Sequence, residues 1–176
     1  MMFIKNDIVS LRVAEPNDAD LIYRWENDMD IWRDSETRVP YSMRQIEQFL
    51  LNNNDLVSEN QLRLMIENSN GDAVGCIDLY DYDEFNSRAG IGILVDKAHR
   101  GKGYARQAIE LLLEYCFKIL MLNQIYVLIL STNAESAKLF ESIGFVKCGQ
   151  RQQWYKTENG FADQIEYQYI NKHQNV

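Results

Sequence analysis

The chain has 176 residues, of which 46% are hydrophobic and 25% are charged, a composition typical of one globular domain with a sizeable core. Its net charge of −8 argues against nucleic acid as a partner, and its apolar runs are too short to span a bilayer, so we expect a cytoplasmic protein without a membrane partner. Three cysteines without a CxxC pair and two distant histidines predict neither a disulfide framework nor a metal site.

The N-terminal part predicts a strand followed by two helices. Residues 8–13 alternate between apolar and polar side chains, which is typical of a strand. Pro16 with acidic neighbours indicates the start of a helix, because acids are favourable at the positive end of the helix dipole. Ser42 and Gln45 have the spacing of a capping box at the start of a second helix, and residues 52–59 are predicted to form a polar loop.

The segment from Glu15 to Glu36 contains eight acidic residues and two basic ones, with tryptophans between the acids. One interpretation is a solvated helix face and loop. The other is an electrostatic funnel for a cationic substrate, in which aromatic rings pack against its methylenes or its charge. On that second interpretation, the candidate substrate-binding residues are Trp25, Glu26, Asp28, Trp32 and Glu36.

Three strands are predicted in the centre of the chain. Residues 62–67 and 73–80 alternate in hydrophobicity and flank a turn-forming segment at residues 68–72, which indicates a hairpin. The third strand is the apolar, β-branched run at residues 91–95. It is followed without a long loop by a basic, glycine-containing turn and a helix that begins at Tyr104.

This turn, Arg100-Gly101-Lys102-Gly103, predicts a phosphate or pyrophosphate site. The first N–H groups of a helix lack internal partners and lie at the positive end of its dipole. Glycines let those groups approach an anion closely, and two basic side chains add charge. The alternative is that the glycines serve turn geometry alone. A Walker A loop and a dinucleotide fingerprint are both excluded, because Gly103 and Arg106 stand where those motifs require Ser/Thr and a third glycine.

The rest of the chain completes an α/β (α+β) domain over residues 1–176. The helix that begins at Tyr104 is predicted to reach about residue 120 and to be followed by a strand at 124–130. Thr132 and Glu135 indicate a capping box at the start of another helix. Two strands follow at 145–150 and 164–170, with a loop at 157–162. The predicted order is β-α-α-β-β-β-α-β-α-β-β. It favours a mixed, mostly antiparallel central sheet with helices on both faces.

Two segments resemble the GCN5-related N-acetyltransferase (GNAT) family. Residues 100–105, RGKGYA, resemble its pyrophosphate-binding loop, and residues 133–145 resemble its second segment, an Asn followed by a helix that ends in Gly-Phe. The N-terminal part resembles the branch that contains spermidine/spermine and ribosomal-protein N-acetyltransferases. The resemblance extends over about residues 8–170. It implies a GNAT-like single domain that uses acetyl-CoA as co-substrate and no metal.

The resemblance also implies which residues bind the cofactor. The backbone of a bulged strand, with Gly92 at the bulge, would bind pantetheine, the turn would bind pyrophosphate, and the second segment would add two side chains. The implied cofactor-binding residues are Ile93, Leu94, Val95, Arg100, Gly101, Lys102, Gly103, Tyr104, Ala105, Asn133 and Lys138.

The catalytic residues depart from the family pattern. Phe140 stands where the polyamine enzymes usually have a tyrosine acid, and Gly90 aligns with a common carboxylate. An alkylamine has a pKa of roughly 10 and must lose a proton before it attacks a thioester, so a base is useful. We expect Asp78 as a substitute base and Tyr80 and Tyr126 as acids or water-holding groups. The alternative for each is a strand residue with ordinary hydrogen bonds.

The predicted activity is acetyl transfer to a primary amine, and the acidic N-terminal segment favours a polyamine or another small cationic amine as substrate. Acetylation of protein N-termini or aminoglycosides is the alternative among enzymes. A different class is an acyl-CoA-binding sensor that has lost catalysis, which Phe140 and Gly90 make conceivable. The C-terminal strands are also candidates for pairing between subunits in a homo-oligomer.

Overall fold

A computed structural model describes residues 4–32, 37–52 and 55–172. The chain divides into two compact units. Unit 1 consists of Met1–Ala14, Asp55–Val127 and Tyr169–Val176, and unit 2 consists of Glu15–Asn54 and Leu128–Gln168. No helix in the described ranges is long and apolar enough to cross a membrane.

The described residues form eight strands, six α-helices and two short 3-10 helices. The strands are β1 Ile4–Lys5, β2 Val9–Val13, β3 Leu62–Asn68, β4 Ala73–Asp83, β5 Arg88–Val95, β6 Gln124–Leu130, β7 Val146–Thr157 and β8 Gly160–Ile170. The α-helices are α1 Ala19–Glu26, α2 Met29–Trp32, α3 Met43–Asn52, α4 Leu56–Glu59, α5 Tyr104–Lys118 and α6 Ala134–Ile143, and the 3-10 helices are Pro16–Asp18 and Lys97–His99. The predicted α/β class, with mostly antiparallel strands, is confirmed.

In unit 1, strands β1 to β5 pair antiparallel in sequence order, and β6 pairs parallel with β5. Helix α5 packs on the strands β1 to β5. Ala108, Ile109 and Leu112 of its apolar stripe are fully buried, as are Ile77 and Ile91 on the strands. Cys116 belongs to the same core, and burial raises the pKa of its thiol to about 12. The periodicity of α5 therefore predicted its buried face correctly.

In unit 2, α1 and α3 pack against each other, Ile22 on α1 and Ile46 on α3 are buried, and β7 and β8 form an antiparallel hairpin. Ser42 and Gln45 form the predicted capping box, since each accepts a hydrogen bond from the other's backbone N–H. Helix α6 contains the buried Phe140, whose ring packs edge-to-face on Phe145 with centroids 5.0 Å apart.

Five details differ from the sequence-based expectations. Strand β1 and helix α2 are additional elements, and helix α4 lies inside the expected polar loop, where Asp55 caps it by accepting from the N–H of Val57. The cap of α6 is Asn133 rather than Thr132. The expected loop at residues 157–162 shrinks to a two-residue turn, because β7 extends to Thr157 and β8 begins at Gly160.

Candidate active site

The turn between β5 and α5 contains the predicted phosphate cradle, residues 100–105. Gly101 and Gly103 have φ angles of +74° and +83°, in the left-handed region that L side chains rarely adopt. A Cβ built on either glycine meets no atom within 4 Å, so the space beside the turn is open. Gly103 caps α5 without a side-chain acceptor, and the first turn of the helix carries no acid. The start of α5 is therefore suited to an external anion.

Polar contacts fix this turn to the end of β5. Arg100 donates from Nε to the carbonyl oxygen of Val95 at 3.1 Å. The carboxylate of Asp96 accepts from the N–H of Ala98 at 2.9 Å, and its carbonyl oxygen accepts from the N–H of His99 at 2.8 Å. A turn that is already ordered costs less entropy when a ligand binds.

The remaining cradle residues also fit an anion. Lys102 is exposed, and Tyr104 and Ala105 are half-buried in the first turn of α5. The ring of His99 lies 6.4 Å from that of Tyr104, and its Nδ1 atom is buried without a hydrogen-bond partner among the described residues. The cradle thus combines accessible backbone with basic side chains, as pyrophosphate requires.

On the side of β5 that faces away from β4, the pairing with β6 ends inside unit 1, and we call the space beside β5 beyond that point the gap. Within unit 1 the two strands pair at three positions, the last of which is Gly90 opposite Tyr126. No position of β5 beyond Gly90 pairs with β6 within unit 1, although β5 continues to Val95 and stays paired with β4. This edge of β5 from Ile91 to Val95, which is free within unit 1, is roughly 13 Å long at about 3.3 Å per residue. Ile93, Leu94 and Val95, the predicted pantetheine-binding residues, lie on this edge and are half-buried.

At the closed end of this gap, Tyr80, Gly90, Gly92 and Tyr126 form a surface that we call the tyrosine face. The rings of Tyr80 and Tyr126 pack edge-to-face with centroids 5.8 Å apart. A Cβ at Gly90 would lie 2.3 Å from Cε2 of Tyr80, whereas a Cβ at Gly92 would lie 3.9 Å from the nearest ring atom. The ring of Tyr80 therefore occupies the space in which a side chain at position 90 would stand.

Asp78, the expected base, lies on β4 opposite Gly92. Both of its carboxylate oxygens accept from Arg63, Oδ1 from Nε at 2.9 Å and Oδ2 from Nη2 at 2.7 Å. The side chain of Asp78 is 29% exposed and that of Arg63 is 16% exposed. A carboxylate held in this bidentate way has both oxygens engaged by one guanidinium group, so neither oxygen is left to face a substrate alone. The geometry therefore favours a structural role for Asp78.

Asp81 is placed by a β-bulge in β4. Tyr80 pairs with Gly90 and the next pair is Asp83 with Arg88, so β4 has one residue more than β5 in this interval. Asp81 has a φ of +49°. Strand alternation would direct its side chain away from Tyr80, yet its Oδ2 accepts from the hydroxyl of Tyr126 at 3.0 Å. The bulge turns the carboxylate toward the tyrosine face. The bulge expected at Gly92 is therefore wrong, since the register of β4 and β5 is regular there.

The second segment that is predicted to bind the cofactor lies in unit 2. The side chain of Asn133 accepts from the N–H of Ser136 at 3.0 Å and caps α6, and Lys138 is exposed on the same helix. Phe140 is 1% exposed, so this position is part of the core and holds no proton donor.

The expected substrate-binding residues of the N-terminal segment differ in burial and in hydrogen bonding. Trp25 is only 4% exposed and belongs to the core of unit 2. Trp32 is half-buried and donates from Nε1 to the carbonyl oxygen of Glu26 at 2.6 Å. Asp28 accepts from the N–H of Asp30. Glu36 lies outside the described residues.

Sequence reasoning missed the roles of Arg63 and Asp81. Arg63 is one of several charged residues on an alternating strand, and its pairing with Asp78 depends on the register of β3 and β4. Asp81 stands in the run Tyr80-Asp81-Tyr82-Asp83, whose regular alternation conceals the bulge. Asp tolerates a positive φ better than most residues, and that is the one signal available from sequence.

Comparison with protein families gives a match to the acetyltransferase (GNAT) domain over residues 9–146. A spermidine N(1)-acetyltransferase from Vibrio cholerae serotype O1 is 29% identical over 148 residues, which is 82% of this chain and 82% of that protein. The matched family region includes the cradle, both strands of the gap and Asp81.

Solved structures show the same fold. The spermidine N-acetyltransferase of Vibrio cholerae in complex with CoA and spermine has a TM-score of 0.84 and 26% identity, covering 94% of this chain and 96% of that one. A ribosomal-protein-S5-alanine acetyltransferase from Vibrio fischeri has a TM-score of 0.86 and covers 100% of both chains, and at 21% identity this likeness concerns the fold alone.

Proposed function

This chain belongs to the GNAT family of acetyltransferases and is an N-acetyltransferase, and we propose that it transfers acetyl from acetyl-CoA to a primary amine of a polyamine or a similar small cationic amine. The observation that carries the proposal is the cradle at residues 100–105, followed by the free edge of β5. Acetyl-CoA has an anionic pyrophosphate at one end and a thioester at the other, joined by an arm with amide groups. These are the features that the cradle and a strand edge can bind.

Different residues of unit 1 would bind different parts of acetyl-CoA. Backbone N–H groups near Gly101 and Gly103, with the charges of Arg100 and Lys102, would hold the pyrophosphate. The backbone of β5 up to Val95 would bond the amides of the arm, in the manner of an added strand. Bound acetyl-CoA supplies a thioester whose thiolate is a good leaving group.

The amine end of the reaction needs a site that lowers the cost of removing a proton. An alkylammonium with a pKa of roughly 10 is almost fully charged near pH 7. Tyr80 and Tyr126, at the closed end of the gap, are the side chains we assign to the acceptor end, as ring surface and hydroxyl groups. We assign Asp78 a structural role, the ion pair with Arg63, rather than the role of the base. Positioning two reactants is itself a large catalytic effect, so acetyl transfer does not require the missing tyrosine acid at position 140.

The polyamine assignment is supported by the similarity to the Vibrio cholerae spermidine N(1)-acetyltransferase and by the net charge of −8. An acidic protein attracts a polycation over a distance set by ionic strength, so turnover should fall as salt is added.

A matched pair of glycine variants tests the cradle. Gly71, in the turn between β3 and β4, has a φ of +84° and open space around a built Cβ, which are the same local properties as Gly103 with +83°. Asp at either position meets the same backbone strain of about 1–2 kcal/mol. Only Gly103→Asp adds negative charge to the cradle. We expect it to weaken acetyl-CoA binding at least tenfold, by about 1.4 kcal/mol or more, while Gly71→Asp binds like the wild type.

Binding of acetyl-CoA and release of CoA are the two measurements. The acceptor panel is spermidine, spermine, putrescine, an aminoglycoside and peptides with free N-termini. Turnover of the polyamines, suppressed by salt, is the expected result. Turnover of peptides alone would replace the polyamine assignment with N-terminal acetylation. Tight acetyl-CoA binding with no turnover on any acceptor would favour the acyl-CoA-binding sensor. Equal acetyl-CoA binding by both glycine variants would show that the cradle does not bind the pyrophosphate.

A further inference from the structure

The acids on the β4–β5 hairpin differ in how their charge is balanced. Asp78 is paired with Arg63, as described above. Asp83 lies 3.2 Å from Nη2 of Arg88, and hydrogen bonds from the backbone and the side chain of Asn86 lower its pKa. Asp81, by contrast, accepts its hydrogen bond from the neutral hydroxyl of Tyr126. Within residues 4–32, 37–52 and 55–172, no basic side chain pairs with Asp81.

The surroundings of Asp81 suit a cation. Its side chain is exposed, so an ammonium group can reach it from solvent. The rings of Tyr80 and Tyr126 lie beside it, and such rings pack against methylenes and attract a cation over the ring face. The carboxylate is held by one hydrogen bond to one oxygen, which leaves lone pairs for ammonium N–H donors.

The position of Asp81 along the gap is equally specific. Its partner Tyr126 is the last residue of β6 that pairs with β5 within unit 1. A linear ligand anchored at the cradle and lying along the free edge of β5 points its far end toward that closed end. The carboxylate and the reacting end of such a ligand therefore share one region of unit 1.

The bulge indicates that this placement has a cost. A non-glycine residue with positive φ is disfavoured by roughly 1–2 kcal/mol in general, and Asp is among the residues that tolerate it best. Without the bulge, alternation would direct Asp81 to the opposite face of the sheet, on which Leu79 is buried. Strained residues and bulges of this kind occur often beside active sites.

We propose that Asp81 binds the ammonium group of the incoming acceptor amine, with the hydroxyl of Tyr126 holding its carboxylate at the closed end of the gap. The inference rests on the proposed acetyl transfer to a cationic amine and adds the residue that selects the charge of the acceptor.

The test compares Asp81→Asn with Glu84→Gln. Asn tolerates positive φ as Asp does, so the variant removes the charge and keeps the bulge. Glu84 is exposed on the same hairpin, and its substitution removes the same formal charge. For Asp81→Asn we expect the KM for spermidine to rise about fivefold at low salt and the difference to shrink at high salt, as for an exposed ion pair. Its KM for acetyl-CoA and its melting temperature should stay unchanged.

Tyr126→Phe provides a second variant that keeps the ring. It should raise the KM for spermidine less than Asp81→Asn does. The double variant Asp81→Asn/Tyr126→Phe should be no worse than Asp81→Asn alone, because the two groups act as one unit. A purely structural role would instead lower the melting temperature and affect both substrates.

The failure of this inference is distinguishable from the failure of the proposed function. If the wild type acetylates spermidine and Asp81→Asn has the same KM as Glu84→Gln, Asp81 does not bind the acceptor although the enzyme assignment stands. If the wild type acetylates no amine, the proposed function fails, and calorimetric titration of spermidine into the wild type and both variants still tests Asp81. Equal dissociation constants for Asp81→Asn and Glu84→Gln would overturn the inference.

Discussion

The two ends of β5 are built in different ways. At its C-terminal end, the cradle uses the backbone of consecutive residues, with two glycines whose left-handed φ angles leave open space. At its N-terminal end, the tyrosine face uses side chains from β4, β5 and β6, which meet only because of the register between those strands. A site made of local backbone is visible in a motif, whereas a site made of distant side chains depends on the fold.

The difference also determines how each end should respond to substitution. A contact with backbone cannot yield without moving the sheet, but a contact with a side chain can yield by rotation. Gly75 and Gly90 allow a direct comparison, because a Cβ on each would collide at nearly the same distance, with the Leu94 carbonyl oxygen at 2.1 Å and with the Tyr80 ring at 2.3 Å.

Gly75→Ala should have the largest effect. The methyl group would collide with the backbone of β5, so the strands must separate or shift, at a cost we put near the upper end of overpacking, about 3 kcal/mol. Chemical denaturation measures the free energy of unfolding. Because Val95 accepts the hydrogen bond that holds Arg100, acetyl-CoA binding should weaken as well. A loss no larger than that of Gly92→Ala, which has room for a methyl group, would contradict the built contact.

Gly90→Ala should reduce the free energy of unfolding less than Gly75→Ala does, and it should affect the acceptor site alone. The ring of Tyr80 can rotate away, with a cost of about 1–2 kcal/mol for a displaced, off-rotamer side chain. The acceptor KM should rise while the acetyl-CoA KM is unchanged, since the collision is at the tyrosine face.

A double-variant cycle checks this explanation. In a Tyr80→Leu background, Gly90→Ala should cost less than in the wild type, because the ring that it displaces is absent. Additive effects of the two substitutions would mean that the ring is not what excludes a side chain at position 90. Gly92→Ala, whose methyl group would lie 3.9 Å from the nearest atom of Tyr80, serves as the control for stability on the same strand.

Asp78→Asn should reduce stability modestly and leave the pH profile of turnover in place. The amide keeps one acceptor for Arg63 but removes the charge, and the pair is partly exposed, so we expect a loss of about 1 kcal/mol. Turnover measured from pH 6 to 10 is the decisive readout. A shift or loss of the acidic limb in Asp78→Asn would restore Asp78 as the base, because a general base must lose its proton on that limb, and would show that the ion pair opens in the working enzyme.

The sequence predicted the parts that depend on local pattern. Alternation and helical spacing predicted most of the strands and helices, and the glycines of residues 100–105 predicted the turn before α5. It could not predict what depends on register: that Arg63 engages both oxygens of Asp78, or that Tyr80 covers Gly90. The bulge at Asp81 could not be predicted either, because a residue with positive φ in a strand leaves the alternation of residue types unchanged.

The smallest expected effect concerns Asn133, where one residue has two candidate roles. Its side chain caps α6, so Asn133→Ala should cost about 1 kcal/mol, as the loss of an N-cap does. Asn133→Ser keeps an oxygen that can accept from the N–H of Ser136 and should restore most of that stability. Serine lacks the amide N–H donors, however, so the acetyl-CoA KM of Asn133→Ser measures whether the amide has any role beyond capping. An unchanged KM would assign Asn133 to the helix alone, and cofactor binding would then depend on the backbone of unit 1.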